Sequence, residues 1–238
     1  MKILAIDSSG LVATVAVLED EATIAEYSVN YKKTHSETLV PMLDEIKKMT
    51  ELDLSTIDAI ATSMGPGSFT GLRIGAATVK GLGLALNIPV IAVPTVDAIS
   101  FNVWGYDGLI CPMMDARREQ VYTGIYKFEK GKHIVVKEQC AVPVKEIIDE
   151  CNALSENVVF LGDGVPVYKE IIQTETKVPY EFAPANMNRQ RASSLGVLAY
   201  RYYMEGKYTT AADFKPDYLR LSQAERERAE KEKAKENA

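Results

Sequence analysis

Residues 58–94 narrow the choice of fold more than any other part of this 238-residue chain. Ile60-Ala61-Thr62-Ser63-Met64 reads as a short apolar strand, and Gly65-Pro66-Gly67-Ser68-Phe69-Thr70-Gly71 as a sharp turn. A small-residue helix is predicted over 71–86, and Ile88-Pro89-Val90-Ile91-Ala92-Val93 makes a further strand. Gly65 and Gly67 can supply positive φ and Pro66 fixes its own, so the turn is stiff. Ser68 or Thr70 can cap the helix. Between Leu72 and Leu86 the only charges are Arg73 and Lys80, two turns apart on one strip. A helix apolar in nearly every other direction is buried on more than one side. Its own sheet covers one side. The second is covered either by more of the same chain or by another chain. Gly71, Gly75, Gly81 and Gly83 cost roughly 1 kcal/mol each against Ala, which is understandable if another backbone approaches there. A membrane span is excluded by the short run, its two cations and its glycines.

The length suits one large domain or two small lobes. Cys111, Cys140 and Cys151 are odd in number and lack CxxC spacing, so neither a disulfide framework nor a zinc site is implied. Met1-Lys2 runs straight into Ile3-Leu4-Ala5-Ile6, too short for a signal peptide, and a cytoplasmic chain is the expectation. A net charge of −6 argues against an autonomous nucleic-acid binder but not against a subunit whose partner binds one.

Ile3–Ile6 is a continuous apolar run that fits a strand covered on both faces, ended by Asp7 and the turn residues Ser8-Ser9-Gly10. Strands over 12–17 and 23–29 complete a meander. Thr34 and Glu37 have capping-box spacing before a helix striped by Leu39, Met42, Leu43, Ile46 and Met49, with Pro41 just past its first turn. With a helix over 95–103, the order β-β-β-α-β-α-β-α is that of a ribonuclease-H-like lobe, as in the sugar-kinase and actin group. The predicted fold is therefore α/β, a two-lobed actin-like ATPase (ASKHA, ribonuclease-H-like) architecture with a reduced second lobe. Residues 1–104 form the first lobe, 105–222 the smaller second lobe, and 223–238 a charged tail, solvated helix or disordered. In the second lobe, strands are expected over 109–114, 120–128, 133–142 and 158–161. Helices are expected over 143–151, after Gly162-Asp163-Gly164, and over 191–204.

Asp7, Ser8 and Ser9 sit where actin-like ATPases place a first phosphate loop. A tight turn in which Asp7 and Ser8 simply satisfy backbone groups is the reading that the residues themselves favour. Gly65–Gly71 lacks the Lys-Ser/Thr of a Walker loop. His35 and His133 are the only histidines and are far apart in sequence, so neither a metal cluster nor a Ser-His-Asp set can be assembled. Asp115-Ala116-Arg117-Arg118-Glu119 is the densest charged group of the second lobe, and a solvated turn explains it as well as a site does.

Taken together, Ile3–Ser9, His35-Ser36-Glu37, the block from Gly65 to Gly75, Asp115-Ala116-Arg117 and Pro216-Asp217-Tyr218-Leu219-Arg220 resemble the TsaB (YeaZ) family over residues 1 to about 222. The resemblance implies a noncatalytic subunit, with no cofactor of its own, of the machine that places threonylcarbamoyl on the adenosine beside the anticodon of tRNA. It implies pairing with a catalytic paralogue, TsaD, and a homodimer when that partner is absent. An ATPase, TsaE, docks on the pair, and tRNA is met only through the complex. The paralogue holds a metal through an HxxxH pair whose positions here are Thr95 and Ile99. Pairing is implied through the helices near 36–49 and 71–86, with Glu37, Val40, Leu43, Leu72, Arg73, Gly75, Ala76, Val79, Lys80 and Gly83 at the contact. The alternative, from the fold alone, is an ATP-dependent phosphotransferase or ATPase that uses Asp7.

Overall fold

The computed structural model describes residues 1–20 and 22–219; the charged stretch 223–238 lies outside the described residues. The first half runs β1 (Lys2–Asp7), β2 (Ala13–Glu19), β3 (Ala22–Val29), α1 (His35–Thr50), β4 (Ala59–Gly65), α2 (Phe69–Leu86), β5 (Val90–Pro94) and α3 (Thr95–Ser100). The second half repeats it: β6 (Leu109–Asp115), β7 (Gln120–Glu129), β8 (Lys132–Pro143), α4 (Val144–Leu154), β9 (Val158–Leu161), the short α5 (Gly164–Val167) and α6 (Lys169–Glu175), β10 (Tyr180–Phe182) and α7 (Ala192–Met204). The sheets have matching orders, β3-β2-β1-β4-β5 and β8-β7-β6-β9-β10. In each, three antiparallel strands continue into two parallel ones. This is the two-lobed actin-like topology. The second half is reduced in its helices, since the eighteen residues of α2 are answered by a four-residue and a seven-residue helix.

Both sheets are covered on both faces, which explains their unbroken apolar strands. Leu4 and Ile6 of β1 pack with Leu39, Met42, Ile46 and Val79 of α1 and α2. Ile3 and Ala5 point the other way, onto Leu195, Leu198 and Ala199 of α7. In the second sheet Leu109, Cys111 and Met113 meet α4, while Ile110 and Met114 meet Val96 and Ile99 of α3. The covering helices thus cross between the halves: α7 packs on the first sheet, and α3 lies between the two, with Ala98 against the first and Val96 and Ile99 against the second. A boundary at Trp104 separates the strands of the two sheets but not the layers that cover them.

Beyond α7 the chain returns to the first sheet as a strap. Val90 and Thr209 exchange backbone hydrogen bonds of 2.9 Å at the β5 edge, and Asp217 N–H donates to the Met64 carbonyl at 2.6 Å. Ala211 and Phe214 are buried in the core beneath α2, and Tyr218 lies against Phe69 with ring centroids 4.9 Å apart. This strap gives α2 a second cover from its own chain. Three further details differ from the expectation. The helix over 95–103 ends in a 3-10 turn (Phe101–Val103), the helix after Gly162 is broken near Tyr168, and β10 is an added edge strand.

Of the α2 glycines Gly71 admits a neighbouring backbone, as expected, and it is this chain's own; Gly75 and Gly83 admit side chains of the same chain. A Cβ at Gly67 would collide with the Ser9 carbonyl, one at Gly71 with the Ser8 carbonyl, and one at Gly75 with Ser8 Oγ. Gly71 and Gly75 are four apart on one strip of α2, and Gly67 in the turn before the Ser68 cap faces the same neighbours. Of the turn glycines only Gly65 has positive φ, at 122°, and the strap's Asp217 carbonyl crowds it. Gly83 faces the strap, with an added Cβ 2.7 Å from Ala211 Cβ. Gly81 is exposed and nothing lies within 4 Å of its Cβ position. Gly81→Ala is therefore expected to stabilise the protein by about 0.5–1 kcal/mol. Gly75→Ala should destabilise it by about 1–3 kcal/mol. Urea unfolding of the two variants checks the pair; equal effects at both positions would contradict the assignment.

Candidate functional site

Two features of the first lobe are the candidates for a site, the turn after β1 and the outer strip of α1 and α2. The turn is sealed. Asp7, Ser8 and Ser9 are at most 1% exposed. Asp7 Oδ1 accepts hydrogen bonds from Ser9 N–H (2.8 Å), Ser9 Oγ (2.6 Å) and Ser63 Oγ (2.9 Å). Ser8 Oγ donates to the Gly71 carbonyl at 2.9 Å, and Ser68 N–H donates to the Ser9 carbonyl at 2.7 Å. Ser68 also caps α2, its Oγ accepting from Gly71 N–H. The groups that would face a phosphate are thus engaged by β4 and by the start of α2. Burial raises the Asp7 carboxyl above its ordinary value, against the opposing effect of its hydrogen bonds and of His35.

The corresponding turn of the second sheet is open. Asp115 ends β6 as Asp7 ends β1, and its Oδ1 accepts from Arg117 N–H at 2.8 Å and from Tyr168 Oη at 2.7 Å. Arg117, Arg118 and Glu119 are exposed and follow one another in the left-handed region, with φ of 63°, 56° and 56°. Behind them Asp163 Oδ1 accepts from Asp115 N–H at 3.3 Å, its carboxyl raised by burial. Gly162 has a φ of 110° and packs on the Met113 carbonyl, as its counterpart Gly65 packs on Asp217.

Thr95 and Ile99 lie on α3, 0% and 1% exposed. Ile99 is apolar and belongs to the core cluster between the lobes, and the Thr95 hydroxyl has no partner. These side chains do not fit a metal held by an HxxxH pair. Among the described residues no three His, Cys, Asp or Glu side chains converge as a metal-binding group. Nearby, Tyr126 Oη donates to Asp97 Oδ1 at 2.7 Å, and Ser100 Oγ lies 2.8 Å from His133 Nε2. Burial lowers His133 to about 4, so that imidazole is neutral at physiological pH.

The outer strip of α2 is formed by Thr70, Arg73, Ala77, Gly81, Leu84 and Ala85, all exposed. Leu84 is 62% exposed; on α1, Val40 is 59% and Met49 78% exposed. Of the residues expected at a pairing contact, Leu43, Leu72, Gly75, Ala76, Val79 and Gly83 are instead covered by this chain. Glu37, Val40 and Arg73 remain exposed. Glu37 is engaged with Thr34, its Oε2 3.2 Å from Thr34 N and 3.0 Å from Thr34 Oγ1. The Arg73 guanidinium lies 4.0 Å from the centroid of the Phe69 ring. Half-buried Lys80 donates to the Ala212 carbonyl at 2.9 Å. Ala77, Gly81, Leu84 and Ala85 were legible only as helical phase relative to Arg73. Among the described residues no helix is long and apolar enough to cross a membrane.

The raised Asp7 carboxyl gives a testable pH dependence. The fold holds this proton more tightly than the unfolded chain does. Its contribution to stability is therefore present at low pH and lost as pH rises from about 3.9 through the folded value. Asp7→Asn keeps an oxygen for the three donors and removes the titration. Relative to that variant, wild type should lose stability as pH rises above about 4, in urea unfolding from pH 4 to 7.5. Parallel curves would contradict the burial of a titrating carboxyl.

The sequence matches the family model described as TsaD, tRNA N6-adenosine threonylcarbamoyltransferase, over residues 23–228. A Bacillus subtilis (strain 168) protein named tRNA threonylcarbamoyladenosine biosynthesis protein TsaB is 34% identical over 98% of this chain and 100% of its own. The solved structure of YeaZ from Pseudomonas aeruginosa superposes with a TM-score of 0.79 at 26% identity, covering 92% of this chain and 99% of that one. An inorganic polyphosphate/ATP-glucomannokinase from Arthrobacter sp. strain KM shares the fold alone, with a TM-score of 0.50 at 12% identity over 86% of this chain and 99% of that chain. With its near-complete overlap with TsaB and YeaZ and its glycine-lined turn and helix, the chain belongs to the TsaB (YeaZ) family.

Proposed function

We propose that this chain is a cytoplasmic, noncatalytic subunit in the formation of threonylcarbamoyladenosine in tRNA. It pairs with a larger TsaD-like paralogue through the outer strip of α1 and α2, forms a homodimer when that partner is absent, and offers the pair to a TsaE-like ATPase. The observation that carries this reading is the contrast within the first lobe. The turn where phosphate chemistry would sit is filled by the chain's own helix, while the outer side of that helix is exposed and, beyond Arg73, carries only small or apolar residues at Ala77, Gly81, Leu84 and Ala85. An apolar strip of this kind gains by burial against another helix.

The phosphotransferase reading requires Asp7 to reach a metal ion or a nucleotide. Its carboxyl is buried and one of its oxygens already takes three donors. Calorimetric titration with ATP and Mg²⁺ is expected to give no saturable heat for the isolated chain. Tight binding lost in Asp7→Ala would favour the phosphotransferase.

The direct test is reconstitution. Alone, the purified chain should transfer no threonylcarbamoyl to tRNA; with the paralogue and the ATPase, modification should depend on its presence. Ala77→Arg and Leu84→Glu should each weaken pairing by roughly 100-fold, since an unpaired charge would be buried in the contact. Circular dichroism should be unchanged, because both sites are exposed. Normal pairing of both variants in sedimentation velocity would place the contact elsewhere.

A further inference from the structure

The hairpin between β6 and β7 holds a feature that the pairing of subunits does not use. Left-handed backbone is normally visited by single residues and by glycine, because a Cβ crowds the following carbonyl. Here Arg117, Arg118 and Glu119 adopt it in succession, with no glycine among them. The strained tip is fastened on every side. Asp115 Oδ1 holds Arg117 N–H, Ala116 N–H donates to Gln120 O at 3.0 Å, Gln120 N–H to Arg117 O at 3.2 Å, and Val144 N–H to Glu119 O at 3.0 Å. Strain kept in place by this many contacts points to a conformation required for a purpose.

The arginines themselves identify that purpose. The other described arginines are committed within the chain. Arg73 lies over Phe69, Arg189 donates to the Gly162 and Asn188 carbonyls, Arg191 pairs with Glu26, and Arg201 lies over Trp104. Among the described residues the guanidinium groups of Arg117 and Arg118 have no hydrogen-bond acceptor, ion-pair partner or ring. Of the two carboxylates in this turn, that of Asp115 is engaged by Arg117 N–H and the Tyr168 hydroxyl, and among the described residues that of Glu119 makes no ion pair with either arginine. Two adjacent, unpaired forks on a backbone held by hydrogen bonds suit bidentate contact with phosphate oxygens.

We propose that the Arg117–Arg118 tip contacts the phosphodiester backbone of RNA. The proposal deepens the function above and rests on it: RNA is the polyanion with which that reaction works. A net charge of −6 means that the tip adds to binding within the assembly rather than capturing RNA alone.

The test uses the full chain assembled with its paralogue and an unmodified tRNA transcript, with affinity measured by fluorescence anisotropy across 50–200 mM salt. For the double variant R117Q/R118Q, pairing should be unchanged and tRNA affinity about tenfold or more weaker. The dependence of log K on log salt should become shallower by about 1.4–1.8, the loss of two phosphate contacts. R117K/R118K keeps the charge and should keep the slope. An unaltered slope and affinity in R117Q/R118Q, with normal pairing, would overturn the proposal alone. Unaltered tRNA binding with loss of the ATPase from the assembly would overturn it in favour of a protein contact. If the wild-type chain does not pair with the paralogue at all, both this proposal and the functional reading fall.

Discussion

The structure depends on one close approach, the seating of the start of α2 on the turn that follows β1. Gly67, Gly71 and Gly75 present a strip without side chains to Ser8 and Ser9. Ser8 Oγ and the Ser9 carbonyl then close the gap with hydrogen bonds to α2. Any side chain on that strip would push the helix off the turn and, with it, the layer that covers Leu4 and Ile6. The glycines lower helix propensity, and the core beneath α2, including Val79 and Phe214, offsets that cost by burial. The same contact explains why the turn at Asp7 has no free groups.

The repeat makes the consequence visible. Asp7 and Asp115 occupy equivalent ends of equivalent strands and each accepts the N–H two residues on, but they face different neighbours. The first turn is roofed by the eighteen-residue α2, whereas the second half has only the short α5 and α6, and its hairpin tip stays open with two arginines on it. One lobe has become a packed body with an exposed outer helix, and the other keeps a polar, accessible edge.

Much of this was legible in the sequence. Ile3–Ile6 and Ile60–Met64 were readable as strands because sheets covered on both faces need unbroken apolar runs. The start of α2 was readable to within a few residues, with Ser68 or Thr70 as its cap; the structure selects Ser68 and begins the helix at Phe69. The glycine spacing announced that a backbone comes close, but spacing cannot say whose backbone it is. The answer lay in the strap, where Ala211 and Phe214 are isolated apolar residues in a polar stretch with no period to detect. β10 is three residues long, too short for alternation to show, and its register comes from pairing with β9. The second-lobe hairpin could be read as charged, but not that its arginines lack partners, because that depends on what the fold brings near them.

We infer that the inner strip of α2 serves this chain and the outer strip serves a partner. Hydrogen exchange of the chain with and without its paralogue tests it most directly. Amides of residues 73–85 should gain protection on mixing, while those of residues 7–9, already sealed by α2, should be slow in both states. Fast exchange at 7–9 in the free chain, or protection on mixing confined to the sheet edges and absent from α1 and α2, would contradict it.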